Sequence, residues 1–393
     1  MSVAINMSFG IGVKEDEMNG ASLPTLGVDW SARVHNTLYI LARGNDSDKR
    51  PTTPNDNFNG MNIAGTNRPF VNGDFSPQFS EISPANATFQ AADGRVIPDL
   101  AAPAQAIRVD QLGTDEFFVT GFGTSAAAPH VTGAAAIVQQ LRDRESKAQN
   151  QRFGADSKQH EVTKAVLMNS ADKLVDDGTI EVDGSKVRKG FLLEMEKTIT
   201  APPPRLGVLG DNWLKSPAYN NPDMPKDPFM GVGAVNANRA VKQFKPGQYG
   251  AADPIPAVAW DYGQLVADAT QVPINKYKFE MPLAKGSFIS ITLCWDRRVT
   301  KTNVEGDDTT WKSKDQFKSE GLSNLELYLM PMGETDLAKA VAKSVNSKYS
   351  VKHIFSQIPQ TRKFEIWVRG ALPRGVDQRY GLAWWAVEAV QRD

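Results

Sequence analysis

One stretch decides the fold of this chain: residues 121–133 read Gly-Phe-Gly-Thr-Ser-Ala-Ala-Ala-Pro-His-Val-Thr-Gly. Gly123 and Thr124 predict a turn and a helix N-cap, which makes Ser125 the first helical residue. Backbone N–H groups without helical partners and the positive end of the helix dipole point outward there. A serine hydroxyl at this place is well positioned to attack a carbonyl group, because the developing oxyanion meets backbone donors.

A buried helix whose serine merely caps it is the alternative, since serine and threonine are common at helix starts. The longer string, Gly-Thr-Ser-Ala-Ala-Ala-Pro-His-Val-Thr-Gly from residue 123, closely resembles the nucleophile motif of the subtilisin-like serine peptidases (subtilases). The resemblance implies that Ser125 is a nucleophile and that the reaction is hydrolysis of a peptide bond through an acyl-enzyme.

A short apolar run, Val3 to Gly10, predicts a buried parallel strand. It is similar to a subtilase strand that ends in Ser-Phe-Gly or Ser-Leu-Gly. The resemblance implies that Ser8, Phe9 and Gly10 line the substrate cleft and pair with the substrate backbone. Without the resemblance, a plain core strand is the better interpretation.

The apolar run Thr37 to Ala42 predicts another strand, and it stops at Arg43-Gly44-Asn45. Subtilases have a similar strand followed by Ala-Gly-Asn. The resemblance implies that the Asn45 amide donates into the oxyanion hole and that Ala42 and Gly44 contact the substrate. Arg43 departs from the family's small residue, and a polar turn residue is the alternative role for Asn45.

The fold class expected from these segments is α/β: a partial three-layer parallel-sheet domain of subtilisin type, followed by an antiparallel β-sandwich that resembles a jelly roll. The first domain is assigned to residues 1–245, a polar, proline-containing linker to 246–255 and the sandwich to 256–393. Further helices are predicted over Leu26 to Val34 and Val162 to Asp172. Alternating apolar residues in short runs, as in Ile289-Ser290-Ile291, predict the sandwich strands.

Composition limits the classes of partner. The 393 residues are 41% hydrophobic with a net charge of −1, which gives no indication of nucleic-acid binding. No run of about 18 apolar residues predicts a membrane span. The single cysteine, Cys294, excludes an intrachain disulfide. The expected partner is a protein or peptide substrate. The compartment is unknown, with an extracellular location possible if a preceding segment carries a signal.

The family's aspartate and histidine motifs are missing from this sequence. Its four histidines are His35, His130, His160 and His353, and none has a matching motif, so none is assigned as the base. The simplest expectation is a fragment that lacks the N-terminal segment with the triad aspartate and histidine, and that is inactive alone. The alternatives are a non-catalytic homologue that binds peptides or proteins, and a structural or adhesive protein that works through its sandwich.

No cofactor or metal ligand is assigned. Family members often bind calcium, so calcium is possible from the resemblance. Asn324 and Glu326 stand where related sandwich domains carry acidic residues, which is only a hint.

Overall fold

The computed structural model shows an α/β part followed by a part built of β-sheets. Gly121 and Phe122 of the quoted stretch lie outside the residues it describes. The described residues are 3–45, 50–68, 70–71, 74–75, 78–83, 86–87, 89–105, 107–110, 113–119, 123–173, 179–182, 185–188, 213–302, 309–312, 314–372 and 375–389. No helix among them combines the length and apolar character that crossing a membrane requires.

The helices of the described residues are α1 (Leu23–His35), α2 (Thr124–Lys147), α3 (His160–Asn169) and α4 (Ala237–Phe244). Helix α1 begins three residues before the predicted start, because Ser22 caps it and proline fits the second helical position. Helix α3 begins two residues early and ends at Asn169, not Asp172. Its predicted last turn is lost because the Asp172 backbone pairs with Ala234, with N···O distances of 2.8 and 2.9 Å.

The strands of the first part are β1 (Val3–Met7), β2 (Ile11–Gly12), β3 (Thr37–Ala42), β4 (Thr52–Thr53), β5 (Met61–Asn67), β6 (Phe70–Val71), β7 (Asp74–Phe75), β8 (Glu81–Ile82), β9 (Leu100–Pro103), β10 (Arg108–Asp110), β11 (Phe117–Val119), β12 (Thr179–Val182) and β13 (Ser185–Arg188). Those of the second part are β14 (Pro254–Ile255), β15 (Val258–Leu265), β16 (Ile274–Phe279), β17 (Phe288–Cys294), β18 (Val299–Thr302), β19 (Gln316–Ser319), β20 (Asn324–Pro331), β21 (Ala342–Ser344), β22 (Val351–Gln357), β23 (Phe364–Ala371) and β24 (Gln378–Trp385).

The central sheet of the first part is parallel, in the order β1-β3-β5-β9, and β8 joins β5 in the antiparallel direction. Strand β3 is apolar on both faces, and Leu38, Ile40 and Leu41 are fully buried. Leu38 and Ile40 pack in the cluster that contains α2. Tyr39, which points to the opposite face, bonds Ser31 of α1 through its hydroxyl at 2.8 Å. Helices therefore lie on both faces, and the predicted α/β class is confirmed.

Strand β1 forms one edge of this sheet, since it pairs with β3 and with no other strand of the described residues. Its register places Asn6 opposite Ile40 and Met7 opposite Leu41. The side chain of Ile5 is 38% exposed, which is high for an apolar residue of a parallel strand. The edge matters for the site, because the residues that follow β1 run past the start of α2.

The second part consists of two facing sheets, in the orders β14-β16-β23-β20-β21 and β15-β24-β17-β22. All pairings within them are antiparallel except β14 with β16. Alternate residues of the strands, such as Leu325, Leu327 and Leu329, are fully buried between the sheets. The predicted antiparallel sandwich is confirmed.

The two parts share a hydrophobic core. Trp260 and Ala383 of the second part pack in the same cluster as apolar residues of α2, α3 and α4. The ring of Trp260 stacks on Phe244 with centroids 5.1 Å apart. At Gly381 a Cβ atom would lie 2.4 Å from the Glu161 carbonyl group, so strand β24 approaches α3 at backbone distance. The boundary at residues 246–255 stays a prediction.

Candidate active site

Ser125 lies in the first turn of α2 and is exposed. The helix begins at Thr124 with Gly123 as its N-cap, so Ser125 is its second residue and not the first. The shift by one residue follows from Gly123, whose φ of 149° favours glycine. A Cβ atom at Gly123 would also lie 3.3 Å from Asn45 Oδ1. The glycine thus lets Asn45 approach the backbone immediately before the serine.

The end of β1 is tied to the start of α2 by reciprocal hydrogen bonds. The Ser125 hydroxyl donates to the Ser8 carbonyl at 3.3 Å, and the Ser8 hydroxyl donates to the Ser125 carbonyl at 3.1 Å. Asn6 Nδ2 in turn donates to the Ser8 hydroxyl at 3.0 Å. The structure therefore brings Ser8 and Ser125 together.

Asn45 is held against α2 through its side-chain oxygen. Asn45 Oδ1 accepts the Thr124 N–H at 2.9 Å and the Thr124 hydroxyl at 3.3 Å. The Thr124 hydroxyl also accepts the Gly44 N–H at 3.1 Å. The other polar group of this side chain is the Nδ2 amide, a hydrogen-bond donor. Asn45 thus lies beside the start of α2, where the first backbone N–H groups, including that of Ser125, have no partner within the helix.

The remaining predicted cleft residues lie on either side of this start. Ala42 is 7% exposed and packs in the core, so it can offer a substrate only its backbone. Gly44 has a φ of 99°, and its carbonyl accepts the Ala87 N–H at 3.1 Å. Phe9 is 68% exposed and lines a cleft of about 290 Å³ between β1, α1 and the turn at Thr53. Gly10 lies close to Thr52, where a Cβ atom would come within 2.8 Å.

None of the four histidines forms a hydrogen bond to Ser125. His130 lies one turn further along α2 and its Nδ1 is 2.8 Å from the Ala126 carbonyl. His35 packs edge-on against Trp30, and His353 is buried beside the Thr292 hydroxyl at 2.8 Å. His160 is buried with two carboxylates at the junction of the two parts.

The residues named for calcium lie on β20. The Glu326 carboxylate accepts Arg369 Nη1 at 3.0 Å and the Tyr328 hydroxyl at 3.0 Å. Asn324 Oδ1 is buried and accepts no hydrogen bond from the described residues. Both contacts are to Glu326 Oε2, and the Arg369 guanidinium already balances the charge of this carboxylate, so the pair does not fit a calcium ion, which prefers several unpaired carboxylate and carbonyl oxygens.

Residues 3–185 match the model of the subtilase family. No curated protein matches the sequence. Solved structures with a partial likeness include the PatG macrocyclase in complex with peptide (17% identity, 61% of this chain and 51% of that one, TM-score 0.35), the prenylagaramide maturation protease PagA (15%, 61% and 61%, 0.36) and the self-cleaved protease domain of PatA (15%, 63% and 63%, 0.36). The chain spans less than two thirds of each of these. The matched stretch contains Ser125, Asn45 and the residues predicted to line the cleft, and over this stretch the chain is similar to the subtilase family.

Proposed function

We propose that this chain carries the nucleophile of a serine endopeptidase and that Ser125 is that nucleophile. The observation that supports this most is the exposed hydroxyl in the first turn of α2, beside an asparagine whose oxygen is anchored by Thr124. A capping serine would need no such neighbour. The subtilase family, whose model matches residues 3–185, is a family of serine peptidases.

The proposed substrate is a protein or peptide that lies extended between Ser8–Gly10 and the strand end at Ala42–Gly44. Ser125 Oγ attacks the scissile carbonyl carbon, and the carbonyl oxygen becomes an oxyanion. Asn45 Nδ2 and the Ser125 N–H donate to this oxyanion. The amine leaves with a proton, and water then hydrolyses the acyl ester on Ser125.

The attack needs a base that takes the Ser125 proton and a group that orients the base. The described residues place no histidine beside Ser125. We therefore propose that a segment of the same protease outside residues 1–393 supplies the histidine and the aspartate. Strand β1, which pairs on one side only within the described residues, is the edge at which such a segment would join the sheet.

A non-catalytic, peptide-binding homologue is the second candidate, and the lack of a histidine at Ser125 favours it. The two candidate functions differ in whether they need the Ser125 hydroxyl. A binding module gains nothing from a nucleophile, whereas an enzyme without its base should become reactive when a base is added.

The test is hydrolysis of a p-nitrophenyl ester by the 393-residue chain, with and without imidazole as an external base. We expect imidazole to raise the rate above its own background, and Ser125→Ala to remove that increment. Ser146→Ala, an exposed serine at the other end of α2, is the matched control and should keep it. Asn45→Asp retains the acceptor for Thr124 but loses the donor. It should lower the increment by about 10² to 10³, the usual cost of one oxyanion donor.

An increment that persists in Ser125→Ala would contradict Ser125 as the nucleophile. If imidazole produces no increment in the folded wild type, the binding module is the better account.

A further inference from the structure

A cluster of ionisable residues lies where α3 meets the end of β17. His160 and Glu161 are the first two residues of α3, and Asp296 follows β17. His160 Nε2 is 3.1 Å from Asp296 Oδ1, and His160 Nδ1 is 3.3 Å from Glu161 Oε2. The three residues are 2%, 6% and 5% exposed in chain order. One ligand atom from each lies within 4.8 Å of the other two.

Asp296 Oδ2 is buried and accepts no hydrogen bond from the described residues. Glu161 Oε2 also lacks a hydrogen bond from them; it lies 3.3 Å from His160 Nδ1, which is 3.1 Å from Asn36 Oδ1, so Nε2 is the His160 atom available to a ligand beside Asp296. The Tyr262 hydroxyl donates only to the other Glu161 oxygen, at 3.3 Å. Buried acceptors without donors are uncommon, because each has given up its hydrogen bonds to water without gaining one from the protein, which costs free energy. The unfilled acceptors point to a cation that the protein residues do not supply.

The charges of the cluster agree with a divalent ion. A neutral imidazole and two carboxylates carry −2, which one divalent cation balances. Two cations are near the cluster: Lys164, further along α3, and Arg379 of β24, which lies over the Tyr262 ring at 5.6 Å.

We propose that His160, Glu161 and Asp296 bind one divalent transition-metal ion, best matched by Zn²⁺, which ties α3 to the sandwich. Imidazole and carboxylate are ligands that zinc accepts, at about 2.0–2.2 Å from each donor atom. Donor atoms around a tetrahedral ion with such bonds are about 3.3–3.6 Å apart. His160 Nε2 and Asp296 Oδ1, 3.1 Å apart, are close to this spacing, and the Glu161 carboxylate, whose ligand atom lies within 4.8 Å of the other two, has to move toward the ion. All three ligands are buried between the two parts of the chain, so the ion would hold these parts together, with its fourth coordination position left to water.

The site does not depend on the proposed peptidase activity. None of its three ligands contacts Ser125 or Asn45. It links a helix of the α/β part to a strand end of the sandwich, at the shared core described above. Loss of the ion should therefore loosen the junction of the two parts rather than change the oxyanion donors.

The experiment is titration of the chelator-treated, full-length chain with ZnCl₂, followed by calorimetry and thermal melting. We expect one Zn²⁺ per chain and a higher melting temperature with the metal bound. Glu161→Gln and Asp296→Asn should weaken binding by at least about 100-fold, the upper end of the cost of losing an outer-shell partner. His353→Gln is the matched control, since His353 is buried but faces no carboxylate within hydrogen-bonding distance, and it should bind as the wild type does.

Anomalous diffraction at the zinc edge, from wild-type crystals grown with ZnCl₂, locates the ion without any substitution. A peak between His160 and Asp296 supports the proposal. A wild type that binds no zinc, a peak elsewhere, or equal affinity in folded Glu161→Gln would overturn it, and the cluster would then be a proton-sharing network only.

Discussion

Arg297→Met should destabilise the chain strongly, because it leaves a buried carboxylate without its cation. Asp29 of α1 is fully buried. One of its oxygens accepts the N–H groups of Phe58 and Asn59 at 3.0 and 2.9 Å. The other accepts Arg297 Nε at 2.9 Å and Nη2 at 2.5 Å. Since Arg297 follows β17, this ion pair joins the first helix to the sandwich.

The magnitude follows from the burial of both partners, whose side chains are 7% and 0% exposed. Removing one member of such a pair costs about 3–5 kcal/mol, because the other charge stays buried. That is a large part of a typical stability of about 5–15 kcal/mol. Burial raises the pKa of Asp29, and Arg297 and the backbone donors oppose this. In the variant the arginine's opposition is gone, so the folded-state pKa of Asp29 rises further above the unfolded value.

A raised folded-state pKa of an acid contributes stability below the unfolded pKa, and this is lost as the pH rises through the folded pKa. The loss of unfolding free energy caused by Arg297→Met should therefore be larger at pH 7.5 than at pH 4.5. Urea denaturation at both pH values measures it, provided that the slope m is unchanged. Arg369→Met is the control, since its partner Glu326 is 21% exposed at the side chain and the pair is worth about 0–1 kcal/mol. A deficit of Arg297→Met that stays below 1 kcal/mol at pH 7.5 would refute the reasoning.

Two further predictions concern the junction and a buried cation. Gly381→Ala should lower the free energy of unfolding in urea by about 1–3 kcal/mol, because its Cβ would lie 2.4 Å from the Glu161 backbone. Gly250→Ala is the control and should have little effect, since a Cβ there has no atom within 4 Å. Equal effects of the two substitutions would contradict the close packing of β24 on α3. Burial lowers the pKa of Lys352 to about 7, so the folded state gives up a proton that the unfolded chain keeps up to about pH 10. The free energy of unfolding of the wild type should therefore rise between pH 7 and 10. The Lys352→Met variant should have a higher melting temperature than the wild type at pH 6, and this difference should be smaller at pH 10. A pH-independent difference would count against a perturbed lysine.

Local patterns in the sequence were sufficient for the main elements. Alternation of apolar residues predicted the sandwich strands, because every second side chain of β20 or β23 lies between the two sheets. The run around Ser125 predicted a serine at a helix start, and the error of one residue arose because Gly123 takes a backbone conformation that the spacing of residues does not reveal.

Contacts between distant segments could not be predicted. His160 and Asp296 are 136 residues apart, and neither belongs to a motif. A glycine within a strand, such as Gly381, would be expected to weaken the strand. Here the absence of a side chain allows β24 to pack closely against α3. The hydrogen bond from the Thr124 N–H to Asn45 Oδ1 connects the start of α2 with a segment 79 residues away, and only the family resemblance indicated that Asn45 belongs beside the serine.

The most direct test of the central claim is covalent trapping on Ser125. The 393-residue chain is incubated with p-nitrophenyl acetate, with and without imidazole, and digested for mass spectrometry. Our account predicts imidazole-dependent acetylation of Ser125 in the wild type and in Ser146→Ala, with little acetylation when imidazole is omitted. Acetylation of other nucleophiles at equal rates, with Ser125 unmodified in the folded chain, would contradict it.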